Sequence, residues 1–169
     1  MIKSYLSERK QYVKYNGEVS PAIVNNRDVP QGSVLGPILF SIFINDIVSA
    51  IGNCNHHLYA DDLQIYLNGS PELINLLAAQ INDDLSSISK WSKANDMHLN
   101  PNKTKVLRIY RGKLDITFPA IMIENNIISY ARSLRNLGYI MNSDFTYLLK
   151  HILWFETIIK VQAFDSHQD

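Results

Sequence analysis

Strands and helices that follow one another without a regular beat predict an α+β fold. Three observations carry the expectation. Asn16–Gly17 lies between two short apolar runs, the strongest local signal for a hairpin. Residues 35–51 are so densely apolar that they read as a helix buried on most sides. The stretch "HHLYADDLQIYLNG" (residues 56–69) sets two apolar arms about a tight polar turn, a second hairpin. A regular parallel fold would instead alternate strand and helix along the chain.

The elements follow in order. "KQYVKYNGEVSPAIVNN" (10–26) reads as two strands around Asn16–Gly17, and "RDVPQGSVLGP" (27–37), punctuated by Pro30, Gly32, Gly36 and Pro37, as a loop entering a helix with Ser33 as its cap. The apolar helix then ends at Gly52 and Asn53. Beyond the 56–69 hairpin, Leu73, Leu76, Leu77, Ile81, Leu85, Ile88 and Trp91 recur at three-to-four spacing. They predict a long amphipathic helix from Pro71 to about Asn95, with Pro71 in its first turn. "HLNPNKTKVLRIY" (98–110) is a turn running into a strand. "AIMIENNIISYARSLRNLGYIM" (120–141) gives three short strands with a turn at Asn125 and Asn126.

The chain has 169 residues, 46% of them hydrophobic, enough for one ordinary core. Its formal net charge of +0 hides an uneven distribution. No Lys or Arg occurs from Gln31 to Asp84, where Asp46, Asp61, Asp62, Glu72, Asp83 and Asp84 are acidic. From Lys90 to Lys113 the balance reverses, with Lys93, Lys103, Lys105, Arg108 and Arg111 between. A cation-attracting block thus precedes a phosphate-attracting one. Cys54 is the single cysteine, which excludes an internal disulfide and a cysteine-based metal cluster. The opening residues are too charged to expect a signal peptide. The most apolar segment contains Pro37, Asn45 and Asp46, which disfavours a membrane span.

Asp61 and Asp62 are adjacent, and successive strand residues point to opposite faces, so they serve one site only at a turn. Most Asp-Asp turns are only solvated tips. What would make two carboxylates tolerable side by side is a hard dication, since Mg²⁺ takes carboxylate, phosphate and water oxygens.

"VPQGSVLGPILFSIFINDI", "YADDLQIY", "MHLNPNKTKVL" and "NLGYIM" come in an order that resembles the reverse transcriptases of non-LTR retrotransposons, of the LINE and Jockey kind, over residues 9 to 151. The resemblance implies part of a right-hand polymerase palm, in which antiparallel strands bearing the YADD hairpin pack on helices. Residues 1–151 would form that partial domain and 152–169 a divergent tail, with the fingers and thumb largely missing. It implies an RNA-directed DNA polymerase, a nucleotidyltransferase using two Mg²⁺ or Mn²⁺ ions. The partners would be an RNA template, a DNA primer and deoxynucleoside triphosphates, in the nucleus or cytoplasm and away from membranes.

Carried over by residue, Asp61 and Asp62 would be the catalytic metal ligands, and Lys103 would stand near the departing pyrophosphate. Pro30, Gln31, Gly32, Ser33, Tyr59 and Ala60 would face nucleotide and template. Leu137, Gly138 and Tyr139 would grip the primer. Asp28 stands where the family usually has glycine, and Asn142 where aspartate is common. Glu8, Glu18 and Asp28, the acidic residues before Pro30, lie outside the apolar strand context of the family's third catalytic aspartate. The expectation is therefore an N-terminally truncated domain whose activity alone is doubtful. The alternative is an inactive retroelement relict that at most binds nucleic acid.

Overall fold

The computed structural model of this chain describes residues 2–25, 29–30, 32–109 and 117–143, and the backbone of 155–162. Two compact units divide it, Met1–Phe43 and Ile44–Asp169.

The first unit opens with a short helix, α1 (Ile2–Leu6), followed by β1 (Arg9–Gln11), β2 (Lys14–Tyr15), β3 (Glu18–Val19) and β4 (Ile23–Asn25). The expected Asn-Gly hairpin is present. Tyr15 pairs with Glu18, and Asn16 (φ 48°) and Gly17 (φ 85°) both take the left-handed conformation that a two-residue turn of this twist requires. β1 and β4 extend it antiparallel, Arg9 opposite Asn25. Helix α2 (Gly36–Ile44) then begins, and Ser33 does cap it: its Oγ accepts from Gly36 N–H at 3.0 Å while its hydroxyl donates to the Pro30 carbonyl at 2.7 Å.

Two features of that helix differ from expectation. It gives way at Asn45 to a 3-10 turn over Asn45–Ala50, and its flanks are open, with Ile38 56% and Ile42 67% exposed. Being apolar on every side, it would need cover on every side, and what this structure covers centres on its C-terminal end, where Ile44 and, in the following turn, Ile47 are buried.

The second unit is built on a five-stranded sheet. β5 (Asn55–Tyr59) and β6 (Asp62–Gly69) form an antiparallel hairpin. Next come a 3-10 turn at Pro71–Leu73 and α3 (Ile74–Ala94), close to the range expected from periodicity. β7 (Lys105–Ile109) follows. The stretch expected as three strands is five: β8 (Met122–Ile123), β9 (Asn126–Ile127), β10 (Tyr130–Ala131), β11 (Ser133–Asn136) and β12 (Tyr139–Asn142). Its first turn lies at Glu124–Asn125, one residue earlier than expected, with Glu124 at φ 55°. β13 (Phe155–Gln162) completes the sheet, whose order is β10-β7-β13-β6-β5.

Alternation along β6 sorts its two faces. Leu63, Ile65 and Leu67 are buried on the side of α3, whose Leu77, Ile81, Leu85 and Ile88 are buried in turn. Leu73 and Leu76, counted in the same stripe from sequence, stay exposed at its start. The opposite face of β6 carries Asp62, Gln64, Tyr66 and Asn68. Over part of it lies the β11–β12 hairpin, with Leu134 and Met141 packed against Leu107, Ile109 and Tyr66.

β13 lies in the stretch expected as a divergent tail. There it joins the sheet's halves, paired antiparallel with β6 from Phe155↔Gly69 to Gln162↔Asp62 and with β7 from Glu156↔Ile109 to Lys160↔Lys105.

Candidate active site

The hairpin that carries the two aspartates is tighter than its sequence implies. Tyr59 pairs with Asp62, so the tip is Ala60–Asp61 and Asp62 is already the first residue of β6. Ala60 holds φ 51°, a left-handed conformation that a residue with a Cβ adopts at a cost of about 1–2 kcal/mol. That turn frees Asp61 from strand alternation. Asp61 is exposed and Asp62 half-buried. Two adjacent carboxylates offering only oxygen suit a hard divalent cation. Among the described residues, no three His, Cys, Asp or Glu side chains gather closely enough to hold a metal ion, so this pair fits as part of a ligand set.

Lys103 is placed by an Asx turn: the Asn100 Oδ1 accepts from the N–H groups of Asn102 (3.0 Å) and Lys103 (3.2 Å). Thr104, fully buried, donates its hydroxyl to the Asn100 carbonyl at 2.9 Å and fixes the entry to β7. Because Lys105 is level with Lys160 and Lys160 with Gln64, Lys103 enters at the same end of the sheet as Asp62. Two strand spacings, roughly 10 Å, separate the two backbones.

Leu137 and Gly138 form the two-residue turn of the β11–β12 hairpin, at φ 46° and 90°, and Tyr139 beside it is 80% exposed. The turn stands over the face of β6 that carries Asp62, since the Gln64 Nε2 donates to the Asn136 Oδ1 at 2.7 Å. Gln64 is absent from the residues singled out by sequence. Its signal was the period-two spacing Asp62, Gln64, Tyr66.

Pro30, Gly32 and Ser33 belong to the first unit and are described within it. Gly32 has φ 77° with open space where a Cβ would stand, a loop free to let a ligand approach its backbone. Gln31 and Asp28 lie outside the described residues.

The charge blocks are partly spent on the fold. Asp84, counted in the acidic block, is buried on α3 and accepts from the N–H groups of Gly52 (3.1 Å), Asn53 (3.0 Å) and Cys54 (2.7 Å), and from the Asn53 side chain (2.9 Å). Burial opposes its charge, but the N–H groups of Cys54, Gly52 and Asn53 and the Cys54 thiol outweigh it and hold the carboxyl below its ordinary range. Burial, with the Asp84 carboxylate beside it, pushes the Cys54 thiol far up, so that thiol is inert. In the basic block, Lys93 pairs with Glu124 at 2.8 Å and the Arg108 guanidinium lies 3.4 Å from the Phe118 ring centre and 4.3 Å from that of Tyr130. Lys105 donates to Ser129 at 3.2 Å. Of the block, Arg108 is thus engaged within the fold, while Lys93 and Lys105 make exposed contacts. Arg111 and Lys113 lie outside the described residues.

Residues 1–141 match the family described as reverse transcriptase (RNA-dependent DNA polymerase). The chain belongs to the reverse transcriptase family. It is similar, at 28% identity over 156 residues, to the probable RNA-directed DNA polymerase from transposon BS of Drosophila melanogaster, a match covering 87% of this chain and 17% of that protein. It is likewise 28% identical over 154 residues to the RNA-directed DNA polymerase from mobile element jockey of Drosophila funebris, covering 87% of this chain and 16% of the relative. A Nasonia vitripennis protein, the retrovirus-related Pol polyprotein from type-1 retrotransposable element R1, is 25% identical over 125 residues, 70% of this chain and 36% of its own length. This reverse transcriptase chain thus spans about a sixth of the length of the first two relatives. No solved structure matches it. Strand β13 lies beyond the residues matched to the reverse transcriptase family. A divalent metal is what the family implies. No helix among the described residues is long and apolar enough to cross a membrane.

Proposed function

We propose that this chain is palm-forming sequence of a retrotransposon reverse transcriptase, working within a longer protein that extends a DNA primer on an RNA template with deoxynucleoside triphosphates. The observation that carries the reading is the Tyr59↔Asp62 pairing, which holds two adjacent carboxylates at the end of a hairpin inside the family-matched stretch. Asp61 and Asp62 would hold Mg²⁺ or Mn²⁺, two ions in the complete site, and that metal supplies charge neutralisation at the attacking and leaving oxygens. Lys103 sits at the same sheet end, where it offers a positive charge or a proton to the departing pyrophosphate. Tyr59 and Ala60 present side chain and backbone to the nucleotide and primer end. Pro30, Gln31, Gly32 and Ser33 would meet the nucleotide and template, and the Leu137–Tyr139 turn would steady the primer. Residues 1–151 would be the palm piece proper.

Two carboxylates alone do not complete a two-metal site, and catalytic groups acting as a unit lose most of the rate together. Residues 1–169 are therefore expected to give no detectable primer extension. Fused to the upstream and downstream polymerase segments of a jockey-type relative, they should extend a primer on RNA, and Asp61→Asn or Asp62→Asn in the fusion should return extension to background. Robust extension by 1–169 alone would overturn the incomplete site. A folded, template-binding fusion that stays inactive would establish the inactive relict instead, with Asp28 and Asn142 the first positions to revert.

A further inference from the structure

The β11–β12 turn has an unusual footing. Leu137 is 50% exposed and Ile140 71%, so burial does little to hold it. The apolar contacts of its hairpin lie further down, where Leu134 and Met141 meet Tyr66, Leu107 and Ile109. At the turn itself the contact with the sheet is polar. Gln64, only 8% exposed, donates to Asn136, and Asn136 is the residue that closes the turn by pairing with Tyr139. Gln64 is two positions from Asp62 on the same strand and face, roughly 7 Å along it.

We infer that Gln64 and Asn136 are a positioning pair, whose hydrogen bond sets the height of the Leu137–Tyr139 turn above the Asp62 face. The inference rests on the polymerase reading above, since it is a primer end that the turn would present to the carboxylates. A buried carboxamide left without a partner costs free energy, so Gln64 holds Asn136 against other placements of the turn. The apolar contacts below act as the hinge. Tie and hinge are two residues apart on β6, Gln64 and Tyr66, which makes the turn's height a function of one side-chain length.

The test uses the full chain and two readouts: hydrogen exchange at residues 136–140, and anisotropy of a fluorescein-labelled RNA–DNA primer–template. Gln64→Leu keeps the volume and removes the donor to Asn136. It should speed exchange at the turn and weaken primer–template binding by roughly three- to tenfold, the size of one buried hydrogen bond. The swap Gln64→Asn with Asn136→Gln conserves the combined reach and should restore both, whereas either half alone should not. Unchanged exchange and affinity in Gln64→Leu, with normal wild-type binding, would overturn the pair and leave the polymerase reading standing. Faster exchange with unchanged affinity would make the bond merely structural. Absence of primer–template binding by the wild-type chain both alone and within the jockey-type fusion would overturn the polymerase reading and the positioning role with it.

Discussion

Ala60 and Asp84 show how single residues set the geometry around the carboxylates. Ala60 is held at φ 51° in a two-residue turn, where glycine would be at ease. Ala60→Gly should raise stability by up to about 1 kcal/mol, 2–4 °C in melting temperature, read by calorimetry. A melting temperature that falls would mean the Ala60 methyl makes contacts worth more than the strain it brings. Asp84 works through charge. Its carboxyl titrates below the ordinary range in the folded chain, so its contribution is full above an unfolded pKa of about 4 and is lost as pH falls through the lower folded value. Urea unfolding should therefore show stability dropping below about pH 4 in wild type and a flatter profile in Asp84→Asn. Asp84→Ala, which strands the N–H groups of residues 52–54, should cost about 3 kcal/mol at neutral pH. The adjacent pair Asp61–Asp62 was legible in sequence because a turn is where adjacent carboxylates converge. The role of Asp84 was only half legible: helical spacing from Leu77, Ile81 and Ile88 puts it rather than Asp83 on the buried face, but nothing in "NDDL" tells that it accepts backbone N–H groups from a loop thirty residues away.

Among the elements, those with strong local signals were legible. The Asn16–Gly17 hairpin, the Ser33 cap and α3 all follow from nearest-neighbour rules, and their bounds lie within a few residues of expectation. The strands after residue 120 were harder, since two-residue ladders carry too little alternation to fix their ends. β13 was the element least legible of all. "FETIIKVQ" has the composition of a strand, but its partners are chosen by long-range pairing that no local pattern records. Paired on both sides, it tolerates no proline. Ile159 lies opposite both Ile65 and Val106, so Ile159→Pro should remove a ladder bond in the sheet interior and cost roughly 3 kcal/mol or more, seen as a lower urea midpoint and lost strand signal in far-ultraviolet circular dichroism. An unchanged midpoint would remove β13 from the sheet centre.

For the molecule as a whole, the net charge of +0 said little because the acidic and basic stretches cancel, and the structure shows why the stretches themselves overstate their surfaces. Asp84 turns inward, Lys93 pairs with Glu124 at the surface and Arg108 stacks on two rings. Charge counted along a sequence is not charge presented to a partner. The position of β13 reaches further, into the order in which the chain can assemble. β5, β6 and β7 leave the ribosome well before the strand that unites them, and Gln162 meets Asp62 a hundred positions upstream. Until residues 155–162 arrive, β6 and β7 present open edges to whatever strand comes first. Closing so long a loop is an entropic barrier that local contacts do not offset, so the sheet bearing Asp62 becomes native only after residues 155–162 have been made.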